Sequence, residues 1–398
     1  MSISSASRRA SAGAIPLLRR ISGALRRSFS SEHDSASAAG YHVAGGPSFM
    51  RGAVFWEPGR PLTVEEFRMP RPKAGELLIK TKACGVCHSD LHVLKGELPF
   101  ASPCVVGHEI TGEVVDHGSM VLTHLLRSST GMPMFPVGSH VVGAFIMPCG
   151  NCFYCVKESQ CTCTVWGGLA EYCVVPANAL AVLPNSLPYT ESAILGCAVF
   201  TAYGALRHAA EMRAGDSVAV IGVGGVGSSC LQIAKAFGAS EIIAVDVLDE
   251  KLQSARTLGA THTVNAAKED AVEKIKEITD GRGVDVAVEA LGKALTFSQC
   301  AKSVRDGGKA VMIGLAATNV MGEVDITRLV RGQVKIIGSY GARARQDLPQ
   351  IVKLAESGAF NLKNTISRKC KFEEANSAYE DLDHGKIVGR AVVEIMQQ

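Results

Sequence analysis

Residues 216–227 read Asp-Ser-Val-Ala-Val-Ile-Gly-Val-Gly-Gly-Val-Gly, and this stretch decides the fold of the chain. Residues 218–221 form an apolar run typical of a buried strand, and the glycines after it open a helical pattern at 226–237. A second apolar run, Glu241–Asp246, ends in an acid. A strand, a glycine-rich turn, a helix and a strand in this order predict a βαβ unit.

The same alternation continues toward the C-terminus. Residues 249–258 have apolar side chains at helical spacing, with Asp249 as the candidate N-cap. Val284–Glu289 and residues 309–314 repeat the strand pattern, each near a helical partner. This spacing predicts an α/β fold with a parallel, doubly wound sheet.

The preceding part of the chain has a different pattern. Between residues 51 and 172, short β-type runs such as 77–80, 112–115 and 140–145 are separated by glycine and proline. This pattern predicts a β-rich unit, with no periodic helix before about residue 190. Residues 119–136 are more than a tight connection needs, so a surface loop is expected there.

The glycine-rich turn has the composition of a dinucleotide site. Gly222, Gly224, Gly225 and Gly227 let the backbone approach a pyrophosphate at a helix N-terminus, with Val226 inside the same turn. Asp246 ends the next strand, where an acid accepts ribose hydroxyls and repels a 2′-phosphate. The sequence therefore predicts NAD rather than NADP.

Four cysteines are clustered in the β-rich unit. The chain has 13 cysteines and no secretory signal, which argues against a disulfide framework. The C-x2-C-x2-C-x7-C spacing suits a closed structural zinc site, with the nearby Cys161 as an alternative fourth ligand. The predicted ligands are Cys149, Cys152, Cys155 and Cys163.

A second set of cysteine and histidine residues is dispersed along the chain. The segment from Gly85 to Asp90 contains Cys87, Gly107-His108-Glu109 follows, and Cys197 lies where the two patterns meet. Spacing alone does not identify this set, and Cys84-x-x-Cys87 also fits a redox pair.

The first 31 residues have the composition of a targeting segment. They hold six arginines, nine serines and no acid, and the remainder then has 35 basic and 38 acidic residues. This composition predicts a transit peptide, and Arg27-Ser28-Phe29-Ser30 favours the mitochondrion over the chloroplast. A disordered, solvated tail is the alternative. No apolar run is long enough to span a membrane, and no basic surface suggests nucleic acid.

Over residues 51–394 the sequence resembles the zinc-containing alcohol dehydrogenases of the medium-chain dehydrogenase/reductase family. Four signatures occur in that family's order: the Cys87 loop, Gly107-His108-Glu109, the four-cysteine lobe, and the glycine turn with its Asp246.

The resemblance implies a domain organisation for the whole chain. After the transit peptide at 1–31, a β-rich GroES-like catalytic domain would comprise 41–198, with the zinc lobe at 149–163, and 341–398. A Rossmann domain that binds NAD would occupy 199–340. Members of the family are usually homodimers or homotetramers.

The resemblance also implies roles for individual residues. Cys87, His108 and Cys197 would bind a catalytic zinc, so that each subunit holds two zinc ions. Glu109 would lie behind the metal, and Asp90 would orient His108. Ser89 would take the alcohol proton and pass it through the cofactor ribose to His92. The further NAD contacts would be His88, Thr201, Val226, Lys251 and Arg390.

The implied activity is hydride transfer between NAD and an alcohol, with aliphatic primary alcohols as the expected substrates. One departure leaves an alternative open, because only six residues separate Cys163 from Ala170, where the family has a longer excursion. So short a connection puts in doubt whether the lobe closes around zinc and whether the next strand is correctly placed. A catalytically silent zinc- and NAD-binding protein is therefore an alternative. A zinc-free quinone or enoyl reductase is a third reading, against which the ligand triad argues.

Overall fold

The computed structural model describes residues 46–118, 135–148, 152 and 167–396. These residues belong to one compact unit, His42–Gln398. Among them, no helix combines the length and apolar character needed to cross a bilayer. The predicted transit peptide and all of the predicted zinc lobe except Cys152 lie outside the described residues.

The described chain alternates between strands and short helices. Its strands are β1 (Phe49–Phe55), β2 (Thr63–Arg68), β3 (Glu76–Val86), β4 (Cys104–Val105), β5 (Glu109–His117), β6 (His140–Gly143), β7 (Tyr172–Pro176), β8 (Leu180–Val182), β9 (Ser217–Ile221), β10 (Glu241–Asp246), β11 (His262–Asn265), β12 (Val284–Glu289), β13 (Val304–Met312), β14 (Lys335–Gly338), β15 (Ile366–Lys371) and β16 (Arg390–Glu394). Its α-helices are α1 (His88–Leu94), α2 (Tyr189–Ser192), α3 (Ala198–Gly204), α4 (Gly225–Ala236), α5 (Asp249–Thr257), α6 (Ala271–Ile278), α7 (Ala294–Ser303), α8 (Ile326–Arg331), α9 (Ala344–Glu356), α10 (Leu362–Thr365) and α11 (Ala375–Asp383).

The glycine-rich turn lies in a parallel sheet of six strands, in the order β11-β10-β9-β12-β13-β14. At its centre Val220 pairs with Ala244 on one side and with Val288 on the other. All three residues are fully buried, as expected of a sheet covered by helices on both faces. The predicted doubly wound α/β fold is confirmed.

Some predicted boundaries in this half are wrong by a few residues. Helix α4 begins at Gly225, so the turn and the helix overlap. The N-cap of α5 is Leu248, and the Asp249 carboxylate instead accepts hydrogen bonds from Asn265 Nδ2 and Lys268 Nζ, both at 2.6 Å. Strand β13 begins at Val304, five residues before the predicted run.

The β-rich half is built on a seven-stranded sheet in the order β15-β16-β3-β5-β6-β8, with β7 paired to β3. Strand β16 comes from the C-terminal end of the chain and runs antiparallel to β3, with Ala391 opposite Val86. This pairing brings Arg390 close to the end of β3, where the Cys87 segment begins. A separate sheet has the order β2-β1-β4.

Two details of the β-rich half were not anticipated from the sequence. Helix α1 (His88–Leu94) occurs well before residue 190; its seven residues are too few to show a clear period. The predicted loop 119–136 is not a surface loop at its end, because Phe135 is buried in the core and its carbonyl accepts a hydrogen bond from His117 Nε2 at 2.6 Å. Residues 119–134 of that loop lie outside the described chain.

The described end of the connection after Cys163, residues 167–169, is bonded to the segment that precedes β5. The backbone nitrogens of Gly168 and Leu169 donate to the carbonyls of Gly107 and Val106, each at 2.9 Å. Strand β7 then pairs antiparallel with β3. The strand that follows the connection is therefore held in the sheet, which removes the doubt raised about its position.

Candidate active site

Four buried side chains converge where the two halves of the chain meet. The candidate ligand atoms of Cys87, His108, Glu109 and Cys197 all lie within 4.8 Å of one another. Each residue lies at or beside the end of an element: Cys87 before α1, His108 and Glu109 at the start of β5, and Cys197 before α3. The fold thus assembles side chains that are far apart in sequence.

The geometry of this cluster suits zinc. The Sγ atoms of Cys87 and Cys197 are 4.0 Å apart. Two thiolates on a tetrahedral zinc, each with a Zn–S bond of about 2.3 Å, would be about 3.8 Å apart. Two sulfurs and an imidazole are also the donor set of an open catalytic zinc site, with a fourth position left for a small ligand.

Asp90 orients the imidazole of the cluster. Its Oδ1 accepts hydrogen bonds from His108 Nδ1 at 3.2 Å and from the Gly107 backbone nitrogen at 3.1 Å. Because Nδ1 faces the carboxylate, Nε2 is the nitrogen left to face a metal. Burial by itself lowers the pKa of His108, but Asp90 and Cys87 together outweigh it and raise that pKa well above its usual value.

The two cysteines are unequal when no metal is bound. A hydrogen bond from Cys197 lowers the pKa of Cys87 well below its usual value, and the positive charges of Arg390 and His108 lower it further against the effect of burial. The same hydrogen bond, together with burial, raises the pKa of Cys197. The positive charges of Arg390 and His108 thus favour a thiolate in this pair, which is the form of cysteine that binds a cation.

Glu109 and Arg390 form a fully buried ion pair beside the cysteines. Arg390 Nη2 bonds Glu109 Oε1, Arg390 Nε lies 3.3 Å from Glu109 Oε2, and Arg390 Nη2 lies 3.8 Å from Cys197 Sγ. Burial raises the pKa of Glu109 to about 7, against the opposing charge of Arg390. The sequence placed Arg390 only at a cofactor pyrophosphate, so its contact with Glu109 is an addition from the structure.

The predicted relay residues both lie on α1. Ser89 Oγ is 3.6 Å from Cys87 Sγ, next to the metal cluster. His92 lies one turn further, and its Nδ1 contacts Glu97 Oε2. Sequence reasoning missed Glu97, although an acid five residues after His92 was a visible signal. The Glu97 carbonyl also accepts from Thr318 Oγ1 at 3.3 Å, which ties the residues after α1 to the segment after β13.

The glycine turn is shaped for close approach of a ligand. Gly222 has a φ of +91°, which favours glycine, and a Cβ at Gly227 would overlap the Gly222 carbonyl oxygen. A Cβ at Gly224 meets nothing within 4 Å, so open space lies in front of the N-terminus of α4. A backbone of this form binds a pyrophosphate readily.

Asp246 is buried at the end of β10 and helps to hold the turn. Its Oδ2 accepts from the Val223 nitrogen at 2.9 Å, and its Oδ1 accepts from the Val247 nitrogen at 2.8 Å and the Leu248 nitrogen at 3.2 Å. Each carboxylate oxygen can accept more than one hydrogen bond, so Asp246 keeps capacity for a ribose hydroxyl.

The other predicted cofactor residues lie on α1, α3, α4 and α5 and at the start of β16. Burial lowers the pKa of His88 against the charge of Cys87, and the positive charges of His92, Arg390 and Lys251 lower it further. Thr201 is buried in α3, where its nitrogen donates to the Cys197 carbonyl at 2.7 Å. Val226 lies in the first turn of α4.

Glu289 is a further residue that sequence reasoning missed. It is buried at the end of β12, and its carboxylate accepts from the nitrogens of Leu291 and Gly292 and from Thr296 Oγ1, at 2.7–3.1 Å. The Leu291 side chain packs on Gly222. Its place at the carboxyl end of a buried parallel strand was the available signal.

Two sequence families match the chain. The alcohol dehydrogenase GroES-like domain matches residues 73–185, and the zinc-binding dehydrogenase family matches residues 225–357. The first match covers the Cys87 and His108 segments, and the second begins inside the glycine turn.

Known proteins resemble the chain over nearly all of their length. An alcohol dehydrogenase of Geobacillus stearothermophilus is 35% identical over 357 residues, 87% of this chain and 100% of that protein. An NAD-dependent alcohol dehydrogenase of Saccharolobus solfataricus is 32% identical over 362 residues, 86% and 99% of the two chains. The crystal structure of benzyl alcohol dehydrogenase from Acinetobacter calcoaceticus is 27% identical, with a TM-score of 0.78 over 88% of this chain and 100% of that one.

These relatives contradict the predicted mitochondrial or chloroplast location. They come from bacteria and archaea, which have neither organelle. The prediction was based on composition alone, and an arginine- and serine-rich stretch is equally typical of a solvated tail.

The ligand cluster, the glycine turn and both sequence families lead to one conclusion. The chain therefore belongs to the zinc-containing alcohol dehydrogenases of the medium-chain dehydrogenase/reductase family.

Proposed function

We propose that this zinc- and NAD-dependent alcohol dehydrogenase acts on aliphatic primary alcohols and the corresponding aldehydes. The observation that carries the proposal is that one side chain connects the ligand cluster to the glycine turn. Arg390 bonds Glu109, and its Cδ lies 2.7 Å from the position a Cβ would take at Gly225. A metal held by the cluster and a dinucleotide held by the turn would thus meet in one cleft.

Cys87, His108 and Cys197 are proposed to hold the catalytic zinc, with Asp90 orienting His108 and Glu109 behind the site. When bound, zinc supplies Lewis-acid chemistry that makes an alcohol hydroxyl more acidic. Ser89, next to Cys87, would accept the proton of that hydroxyl. His92 would pass it to solvent, with its Nδ1 held by Glu97.

We propose that the cofactor binds along the glycine turn. The backbone of Gly222, Gly224, Gly225 and Gly227 would receive the pyrophosphate, with the His88 imidazole and the Arg390 guanidinium as further contacts. Asp246 and Lys251 would contact the adenosine ribose, and Thr201 and Val226 the nicotinamide ring.

Apolar rings beside the cluster support a substrate with an apolar side chain. The Phe145 ring lies 5.8 Å from the His108 ring and 5.3 Å from the Tyr340 ring, measured between centroids. Burial is the main cause that raises the pKa of Tyr340 to about 12. Such walls favour a hydrocarbon group over a charged one.

The organisation of the chain remains a proposal. We propose catalytic segments at 41–198 and 341–398 around an NAD-binding domain at 199–340, in agreement with strand β16 lying next to β3. We also propose a structural zinc bound by Cys149, Cys152, Cys155 and Cys163, and a homodimer or homotetramer.

The silent-protein alternative is not favoured. It depended on the short connection between Cys163 and Ala170 displacing the next strand, yet that strand is paired with β3. The zinc-free reductase reading is not favoured either, because two cysteines and a histidine converge on one point.

The substrate proposal is tested by NADH formation with a panel of alcohols at alkaline pH. We expect kcat/KM to rise along short and medium aliphatic primary alcohols and to exceed that of matched secondary alcohols. Higher values for secondary or charged alcohols would overturn the substrate class and leave the dehydrogenase assignment intact.

Cofactor choice is tested at Asp246. The Asp246→Asn change removes the charge that repels a 2′-phosphate but keeps an oxygen acceptor, so the NADP-to-NAD ratio of kcat/KM should rise about tenfold, or ~1.4 kcal/mol. Glu241→Gln, at the opposite end of the same strand, is the matched control and should leave the ratio unchanged. An unaltered ratio in Asp246→Asn would argue that Asp246 only holds the turn.

A further inference from the structure

A tyrosine hydroxyl is buried near Asp90 and does not belong to the four-residue ligand cluster. Tyr379 belongs to α11 (Ala375–Asp383), a helix that packs against α1 and β3. Its side chain is 2% exposed, and Asp90 is fully buried. The two residues come from opposite ends of the β-rich half and meet only because β16 and α11 return to it.

The free oxygen of Asp90 lacks a well-oriented donor. Oδ1 is occupied by His108 and Gly107, whereas Oδ2 has no partner of good geometry in the described chain. The Tyr379 hydroxyl is likewise buried, and in the described chain it has no well-oriented acceptor. A buried oxygen without a donor destabilises a protein by about 1–3 kcal/mol, so a donor and an acceptor stranded in one core are expected to pair.

The electrostatics of Tyr379 agree with such a pair. Burial raises its pKa well above the usual value, and the negative charge of Asp90 and a side-chain hydrogen bond with Asp90 raise it further. A raised pKa agrees with a hydroxyl that keeps its proton and can donate it to a carboxylate.

We propose that Tyr379 is a positioning residue for the catalytic zinc site, and that its hydroxyl donates to Asp90 Oδ2. Held in this way, the Asp90 carboxylate cannot rotate, and Oδ1 stays aimed at His108 Nδ1. The order of contacts is Tyr379 to Asp90 to His108 to metal, so a residue near the C-terminus sets the orientation of a ligand near the N-terminus of β5. This inference rests on the proposed role of His108 as a zinc ligand.

The expected effect of removing the Tyr379 hydroxyl depends on the number of contacts between that hydroxyl and the metal. Direct partners of a metal-bound histidine typically change metal affinity by about 10–100-fold when removed. Tyr379 contacts Asp90 and not the histidine itself. Removal of its hydroxyl should therefore change metal affinity less, by about 3–10-fold.

The test is the rate at which the zinc-loaded full-length enzyme loses metal to the chromogenic chelator 4-(2-pyridylazo)resorcinol. Tyr379→Phe removes only the hydroxyl and should speed release from the Cys87-dependent site about 3–10-fold. The Cys87→Ser variant identifies which phase of release belongs to that site. The matched control is Tyr189→Phe, which deletes another buried hydroxyl without a well-oriented partner and should leave release unchanged.

A double-mutant cycle separates positioning from general stability. In the Asp90→Ala background the acceptor for the Tyr379 hydroxyl is gone, so Tyr379→Phe should have little further effect on release. Release at the wild-type rate in Tyr379→Phe, or an equal acceleration with and without the Asp90 carboxylate, would overturn the inference. If the wild-type chain shows no phase that depends on Cys87, the proposed function itself has failed.

Discussion

Replacing Cys87 by serine should abolish NADH formation, with kcat/KM falling at least about a thousandfold, or ~4 kcal/mol of transition-state stabilisation. Cys87 is one of the two buried sulfurs of the cluster, and Cys197, Arg390 and His108 all lower its pKa. A hydroxyl in its place is a far weaker zinc ligand and leaves the positive charges without their thiolate. Zinc content should fall by one ion per chain, measured by atomic emission beside the kinetic assay.

The control for this change is Cys104→Ser. Cys104 is a half-buried cysteine of β4 that does not belong to the ligand cluster. We expect it to keep both the metal and the activity. Thermal unfolding of each variant shows whether lost activity reflects the site or the fold. A Cys87→Ser protein that keeps its full zinc content and turns over normally would contradict the assigned ligand set.

Replacing Gly227 by alanine should weaken NAD binding by at least about tenfold and lower the free energy of unfolding by about 1–3 kcal/mol. The added Cβ would overlap the Gly222 carbonyl oxygen, so the turn and the start of α4 must move apart. Since both are backbone, no side-chain rotation relieves the overlap. NADH fluorescence titration measures the affinity, and thermal unfolding measures the stability.

Two other glycines separate the causes of these losses. Gly224→Ala places its Cβ in open space before α4, so it should weaken NAD binding with little loss of stability. Gly338→Ala, at the end of β14, also meets nothing within 4 Å and should change neither quantity. If Gly227→Ala binds NAD like the wild type, the turn is not the pyrophosphate site.

The parallel half of the fold could be predicted from the sequence because its signal is local. Strands β10 and β12 match their predicted bounds, since each is a short apolar run between turn residues. Helix α1 could not be predicted in this way, because it has seven residues and no side chain that caps its start. Its start depends on the end of β3 and on packing against α11.

The site could be predicted only in part, because its geometry depends on contacts between distant residues. The glycine turn and Asp246 are local and were visible as a pattern. The pairing of Glu109 with Arg390 spans most of the chain and follows from β16 lying beside β3. The contact of His92 with Glu97 depends on the residues that follow α1, whose path no periodicity indicated.

The measurement that tests the central claim most directly is the NADH-forming rate of the chelator-treated, metal-free enzyme as zinc is added back. The account predicts almost no activity without metal and a rise that ends when the Cys87-dependent site is filled, with no recovery in Cys87→Ser. Full activity in metal-free protein, or recovery that is independent of Cys87, would contradict it.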